Sequence, residues 1–200
     1  VAGGQANNRV STFNNVGGNI IINGAVTQTS LSANHTAHND VDVNGTGNVT
    51  ITGGISQNAT AKTAGGEAIN DVDTYFLGSL SIGGGIVQMA NAAYDELNRI
   101  GNSNGSMSVG AQIIQSGTGT TSDFTDNYIE NASSGTFKIG LSTSQTGSSN
   151  GVVANLVSAI TGTTGNMSIG TSVTQTALGH GLTNKTSNEG AANLSVGSFV

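Results

Sequence analysis

The sequence lacks several residue types on which common protein architectures depend. In 200 residues it has no cysteine, no proline and no tryptophan, and only 8% of its residues are charged and 4% aromatic. Without cysteine there is no disulfide framework and no thiol chemistry. With so few large apolar side chains, a thick globular core of the kind that most enzymes build is not expected.

Positive charge and long apolar runs are also scarce. Five Lys plus Arg stand against 11 Asp plus Glu, for a formal net charge of −6, so the chain has no basic surface for nucleic acid. No apolar run approaches the ~20 residues needed to cross a bilayer, and no basic-then-apolar signal segment opens the chain. We therefore expect neither nucleic-acid binding nor membrane insertion.

The sequence is instead rich in glycine, with 31 of them, and it repeats one stretch along its length. The first copy is Gly18–Gln28, GNIIINGAVTQ, and in every full copy the glutamine stands ten residues after the opening glycine. Later copies open at Gly47, Gly78, Gly105, Gly135 and Gly165, and a partial copy opens at Ala192. A constant interior joined by segments of varying length is typical of stacked repeats.

Within each copy, apolar and polar residues alternate. In the first copy Ile20, Ile22, Val26 and Gln28 fall on one face, and the other face is polar. This period of two predicts a β-strand with one buried face. A small residue, Gly24 in the first copy, stands between the apolar pairs, and we expect it to leave room for a side chain of a facing strand.

A second motif separates these copies: an asparagine followed two residues later by an apolar or small residue. It occurs at Asn8, Asn39, Asn70, Asn98, Asn127 and Asn155, with a degenerate last copy at Asn188. Each repeat therefore predicts a long strand, a variable loop, a shorter strand and a turn. We expect an all-β fold: a β-solenoid of stacked β-arches, about 29 residues per repeat, with parallel, in-register, cross-β strands.

The repeats predict one β-solenoid domain over residues 1–200. The expected units are 18–46, 47–77, 78–104, 105–134, 135–164 and 165–191, with half-units 1–17 and 192–200.

Stacking in register places like side chains over like. The repeated glutamine shares the face of the apolar residues, and an isolated buried amide is unfavourable unless it is paired. We therefore predict amide ladders in which each side chain bonds to those above and below. The predicted ladder residues are Gln28, Gln57, Gln88, Gln115, Gln145 and Gln175, and Asn39, Asn70, Asn98, Asn127 and Asn155.

One segment suggests a metal site. Asp40, Asp42 and Asn44 match the opening of a calcium loop of the EF-hand type, but Ile51 occupies the place of the closing acidic residue. The favoured interpretation is that these aspartates are solvated on the outer face between inward-pointing valines, and weak calcium binding is the alternative.

No residue combination is typical of catalysis. A Ser–His–Asp grouping, a phosphate-binding loop and a paired-carboxylate site are all missing from the sequence pattern, so we expect neither an enzyme nor a cofactor. The aromatic residues Tyr75, Phe76, Tyr94 and Phe124 lie near the shorter strands. We expect them to pack in the core or at an edge.

Two stretches resemble known fibre subunits. Gly18–Ala25, GNIIINGA, is similar to the openings of Fap-type fibril repeats, and Gln145–Asn150, QTGSSN, resembles the repeats of the curlins, subunits of bacterial curli. The repeats here are longer than curlin repeats, and the cysteine pair of Fap-type subunits is missing. The resemblance implies an extracellular functional amyloid: an exported subunit that polymerises into biofilm or cell-surface fibres, with an export apparatus and a nucleator as partners.

The half-units favour the same hypothesis. Neither carries the charged or proline-bearing cap with which soluble solenoids block edge pairing. A half-unit of one subunit completing that of the next makes a heterologous, non-closing contact, hence a head-to-tail homopolymer. The predicted junction residues are Asn8, Val10, Leu194, Val196, Phe199 and Val200. The alternative is a soluble β-solenoid binding module, such as an adhesin fragment or an ice-binding protein.

Overall fold

The computed structural model describes residues 5–13, 17–120, 124–160, 164–189 and 193–199. The chain is all-β and winds as a β-solenoid of about six turns with roughly 29 residues each. Within these ranges no helix occurs, and so none could span a membrane.

The described chain contains strands of 3 to 12 residues. In chain order they are β1 (Ala6–Phe13), β2 (Ile20–Ile22), β3 (Val26–Ser32), β4 (Ala37–Asn44), β5 (Asn48–Ile51), β6 (Ile55–Ala61), β7 (Ala68–Thr74), β8 (Ser79–Ile82), β9 (Ile86–Ala92), β10 (Glu96–Asn102), β11 (Ser106–Val109), β12 (Ile113–Gly119), β13 (Phe124–Asn131), β14 (Phe137–Ile139), β15 (Thr143–Ser148), β16 (Val152–Ala159), β17 (Met167–Leu178), β18 (Gly181–Asn188) and β19 (Leu194–Phe199).

A typical turn has three strands, which we call the a-, b- and c-strand in chain order; β5, β6 and β7 are one such set. Each strand pairs in parallel with its equivalents in the turns before and after. The c-strands form one sheet in the order β1-β4-β7-β10-β13-β16-β18. The a- and b-strands belong to a second sheet because β17 runs through both positions without a break.

The spacing of the opening glycines sets the register of the stack. Ile20 pairs with Val49 and Val49 with Leu80, and the glutamines of adjacent turns pair in the same way. The prediction of parallel strands in register is confirmed, because the positions that the sequence motifs align pair with each other through most of the stack. The register departs from the motifs in the last turn, where Asn155 pairs with Asn184 and a shift interrupts the pairing of β17 with β19.

The long strand predicted for each repeat is wrong for the first five copies. A bend at Asn23 and Gly24, and at the equivalent residues of the next four turns, divides it into the a- and b-strand. Gly24 has a φ of 140°, which favours glycine. The expectation that the small residue makes room for a side chain of a facing strand is wrong, because the residue at this position points outward: Leu141 is 48% exposed. The small size is needed against the adjacent turn, since a Cβ on Gly53 would lie 2.7 Å from the backbone of Gly24.

From the second repeat on, the opening glycine is required by close stacking of backbones. A Cβ on Gly105 would overlap the carbonyl oxygen of Gly78, and one on Gly135 would overlap that of Gly105. Any larger residue in this column pushes adjacent turns apart, because the strand spacing is only ~4.8 Å.

The core lies between the two sheets. One cluster combines inward apolar residues of all three strand types, including the fully buried Ile51, Ile82, Ile100 and Phe137. A second cluster, where the b-strand approaches the c-strand across the arch, consists only of alanines: Ala37, Ala59, Ala61, Ala68, Ala90 and Ala92. The alanine column is uniform in size, whereas the column of Val49, Leu80, Met107 and Phe137 varies from valine to phenylalanine.

Candidate functional site

The six repeated glutamines stack inside the arch. Each of the five glutamines after Gln28 donates its side-chain amide N–H to the side-chain oxygen of the glutamine one turn earlier, at 2.8–2.9 Å. Gln57, Gln88, Gln115 and Gln145 are completely buried. Every buried amide thus has partners of its own kind, which removes the cost of burying it alone.

The same amide groups also cross the arch to the c-strand. Gln115 Nε2 donates to the carbonyl oxygens of Asn98 and Tyr128, both at 3.0 Å. Gln145 Nε2 makes equivalent bonds to Asn127 and Leu156 at 2.9 and 3.0 Å. Because a carbonyl oxygen can only accept, these contacts determine which end of the glutamine amide is NH₂ and hence the direction of the ladder.

The asparagines of the c-strands form a second ladder. Their side chains bond at 2.8–2.9 Å from Asn8 through Asn39, Asn70, Asn98, Asn127 and Asn155 to Asn184. They also donate across the arch; Asn98 Nδ2 bonds the carbonyl oxygen of Ser116 at 3.0 Å. The last member is Asn184, which pairs in register with Asn155, whereas the degenerate copy of the motif at Asn188 lies opposite Ala159.

The two ladders run in opposite directions. Glutamine amides donate toward the previous turn, as Gln88 does to Gln57. Asparagine amides donate toward the next turn, as Asn70 does to Asn98. The stack therefore has a hydrogen-bonding polarity, and its two ends differ chemically.

The first and last c-strands that the structure describes carry complementary groups. Asn8 Nδ2 donates to Asn39 and to the Thr29 carbonyl oxygen. Asn8 Oδ1 accepts no hydrogen bond from any described residue. At the other end, Asn184 Nδ2 donates only a 3.3 Å bond to the Gln175 carbonyl oxygen, so one of its two hydrogens is unused within the described chain. One end presents an acceptor and the other a donor.

The junction residues predicted from the sequence lie on the first and last strands of the described chain, β1 and β19. Asn8 and Val10 are on β1, and Leu194 and Val196 on β19; the side chains of Val10, Leu194 and Val196 pack partly buried against the core cluster. Phe199 ends β19 and pairs with Val173. Val200 lies outside the described residues.

A cluster of charged residues lies on the outer face of the first c-strands. Register stacks Arg9, Asp40, Asp71 and Arg99 in one column. In the adjacent column Asp42 lies over Asp73. Arg9 contacts Asp40 at 3.1 Å and also pairs with Asp42.

Arg99 completes this cluster from the other side. It contacts Asp71 at 3.5 Å and pairs with Asp73. Ser103 Oγ also donates to Asp73, at 3.1 Å. The result is an Arg–Asp–Asp–Arg sandwich with two acidic layers in direct contact.

The two acidic layers disturb each other's titration. Burial raises the pKa of Asp71 to about 7, and Asp73 and Asp40 contribute to the rise. Burial and the charge of Asp42 raise the pKa of Asp40 to about 6. Arg9 and Arg99 oppose these shifts without cancelling them, because each arginine reaches only the layer next to it.

The expectation that the aspartates are solvated is wrong for Asp42 and Asp73, which are 2% and 0% exposed. Arg9 and Arg99 cover them. Arg9 binds Asp40 and Asp42 and so occupies the place that a calcium ion would need, while Asn44 ends β4. Within the described ranges no three His, Cys, Asp or Glu side chains form a group that could hold a metal ion.

Sequence reasoning missed two features of this region. One is a short third ladder, in which Thr74 donates to Asn102 at 2.5 Å and Asn102 to Asn131 at 2.8 Å. The 29-residue spacing from Asn102 to Asn131, equal to that from Asn98 to Asn127, was the available signal. The other is the role of the two arginines, which only the register reveals.

Comparison with known proteins adds no assignment: no protein-family model, curated protein or solved structure matches this chain.

Proposed function

We propose that this chain is a structural subunit that stacks head to tail into an extracellular fibre. The observation that carries the proposal is the polarity of the asparagine ladder. Copies stacked in the same direction would place the unused donor of Asn184 against the unused acceptor of Asn8. Copies stacked head to head would face acceptor with acceptor, so the ladder favours one polar arrangement.

The strand edges support the same arrangement. In a polar stack β1 of one copy continues the c-sheet from β18 of another, and β2 continues the a-strand column from β19. All these strands pair in parallel within the chain, so the contact repeats a geometry already present. Such a contact is heterologous and does not close, and it therefore makes a filament. The glutamine ladder would be interrupted there, since no described residue lies over Gln175.

The resemblance of Gly18–Ala25 to Fap-type openings and of Gln145–Asn150 to curlin repeats supports an extracellular fibre in a biofilm or on a cell surface. In this proposal the role is structural, not catalytic, and needs no cofactor. An export apparatus and a nucleator would be the partners that such a subunit requires.

The first test is electron microscopy and fibre diffraction of the purified chain. We expect unbranched fibres with a meridional spacing of ~4.8 Å along the axis. The soluble binding module is the competing function. Dispersed particles of monomer mass at high concentration, after prolonged incubation, would support it and overturn the fibre proposal.

The second test changes the junction without changing the fold. Asn184→Asp keeps the oxygen that accepts from Asn155 and removes the outward donor. The variant should fold, fail to elongate alone, and stop the growth of wild-type fibres when added in small amounts, because its intact β1 end still docks. Asn91→Asp, the same change on an exposed lateral position of β9, is the control. Equal elongation by both variants contradicts the proposed junction.

A further inference from the structure

A groove on the outer face of the c-sheet is lined by apolar side chains and carboxylates together. Its volume is about 340 Å³. The floor is Ile69 on β7 and Leu97 on β10, which pair in register. Asp126 on β13 pairs in register with Leu97 and extends the row of Ile69 and Leu97 by one strand. Along the axis of the solenoid, the two apolar side chains are therefore followed by the carboxylate of Asp126.

Two further acids form one rim of this groove. Glu67 and Asp95 immediately precede β7 and β10 and line the groove beside the apolar floor. Glu67 accepts a hydrogen bond from Thr36 Oγ1, and Asp95 accepts one from the backbone N–H of Phe124, both at 3.2 Å. These bonds hold the carboxylates in place without neutralising them.

Glu67, Asp95 and Asp126 form no ion pair in the described part of the chain. There the ion pairs involve only Arg9, Arg99 and Lys185, with other acids. Burial raises the pKa of Asp126, and the charge of Asp95 raises it further. The groove is thus a concentrated and uncompensated negative site on an apolar base.

Two aromatic rings complete the groove. Phe124 and Tyr128 stand two residues before and after Asp126 on β13, and so on the same face of the strand. Phe124 is 52% exposed, so of the two expected locations, core and edge, the core is wrong for this residue. An exposed ring beside carboxylates that form no ion pair is a favourable surface for an organic cation, which the ring face attracts.

We propose that this groove binds lysine or arginine side chains of a basic polypeptide partner. The aliphatic stem of such a side chain covers Ile69 and Leu97, and its cationic head reaches Asp95 and Asp126 beside Phe124. Long basic side chains combine an apolar stem with a charged head in the same way. The inference is independent of polymerisation, since the groove lies on the lateral face of the turns.

The test is binding of a dye-labelled tetralysine amide to the full chain, followed by fluorescence anisotropy at low and physiological salt. The same peptide acetylated on every Nε atom keeps the stems and loses the charge, and should not bind. The double variant Asp95→Asn, Asp126→Asn should bind tetralysine at least about tenfold more weakly, as expected for the loss of two charge-assisted contacts. Phe124→Ala, a change at a half-exposed side chain, should also weaken binding.

The matched control is Glu130→Gln, Glu189→Gln, which removes two charges elsewhere on the chain. It should change the affinity less than twofold. Equal weakening by the control, or equal binding of the acetylated peptide, would show general charge attraction or apolar adhesion and overturn the proposal. Self-association that competes with tetralysine and disappears in Lys138→Gln would assign the groove to a second copy of this chain and also overturn it.

Discussion

A single buried glutamine in a turn connects its own strand to three others. Its amide bonds the glutamine of the previous turn and the carbonyl oxygens of two c-strands, as Gln115 does with Gln88, Asn98 and Tyr128. One side chain therefore satisfies itself, links turns along the axis and closes the arch. An apolar residue of similar size could fill the space but could not make these bonds.

We expect Gln115→Leu to lower the free energy of unfolding by about 1–3 kcal/mol, because it removes the donor that bonds the buried side-chain oxygen of Gln88 and the carbonyl oxygens of Asn98 and Tyr128. Urea denaturation measures the loss. Gln112→Leu makes the same chemical change at an exposed position nearby and should alter stability by under about 0.5 kcal/mol. Similar losses in both variants would mean that the ladder does not contribute to stability.

The opening glycine is the residue that the stack tolerates least. We expect Gly135→Ala to be destabilising by roughly 2 kcal/mol or more, since its Cβ overlaps backbone atoms of Gly105 that cannot move aside. Gly18→Ala is the matched control, because a Cβ there meets no described atom within 4 Å. The melting temperatures of the two variants decide the matter, and a Gly135→Ala melt equal to that of Gly18→Ala contradicts the close-stacking explanation.

Among the elements, the pairing of β4 with β7 is the step of the c-sheet at which acidic residues lie opposite each other. Their parallel register places Asp40 on Asp71 and Asp42 on Asp73, and like charges directly opposite are destabilising. The two arginines lie outside this step, on β1 and β10. Protonation of one acidic layer removes the repulsion, so this interface should be stronger in mild acid.

The sign of the pH dependence follows from the raised pKa values. A carboxyl group whose folded pKa is raised stabilises the fold below its ordinary pKa near 3.8, and the stabilisation is lost as pH rises through about 6 for Asp40 and about 7 for Asp71. Asp71→Asn removes this loss. Relative to wild type, the variant should gain roughly 2 kcal/mol of unfolding free energy between pH 5 and pH 8.

Glu189→Gln is the control for this series. Glu189 is exposed, and its bond with Lys185 lowers its pKa, so its carboxylate stays ionised from pH 5 to pH 8. The difference in unfolding free energy between Glu189→Gln and wild type should therefore be the same at pH 5 and at pH 8. Parallel pH profiles of wild type and Asp71→Asn, by contrast, would show that the acidic layers do not oppose each other.

In the whole molecule each turn rests only on the turns before and after it. The strands of one turn pair with their equivalents one turn away, and the three amide ladders follow the same rule. Stability is then close to a sum of nearest-neighbour contacts. A turn can be removed if the faces that it separated match each other.

Deletion of residues 105–134 tests this directly. It removes one a-, b- and c-strand and brings Gln88 under Gln145 and Asn98 under Asn155, so like residues again stack. The shortened chain should fold with β-rich circular dichroism and a somewhat lower melting temperature. Deletion of 105–119 removes only the a- and b-strands, breaks the order of strands and should not fold. Failure of both deletions, or success of both, would contradict nearest-neighbour stacking.

Much of this architecture could be predicted because the spacing of residues within each repeat sets the register between neighbouring strands. The Gly-to-Gln interval places like residues over like, and a parallel sheet of identical strands has one alignment that buries every apolar side chain. The bends could not be predicted, since the alternation passes through Gly24 and its equivalents unbroken. The place of Asn184 in the ladder could not be predicted, because the residue two positions later is Thr186 and not the apolar or small residue of the motif.

By itself, then, the sequence determined the β-solenoid, its repeat length and the ladder residues from Gln28 to Gln175 and from Asn39 to Asn155, because the periodicity is a property of the sequence that stacking preserves. The tertiary structure alone decided which way the ladders point, that Arg9 and Arg99 enclose two acidic layers, and that Asp95, Asp126 and Phe124 meet in one groove. These features join residues about one to three turns apart. Their distance in space depends on the register and on the path of the loops, and no short-range pattern encodes either.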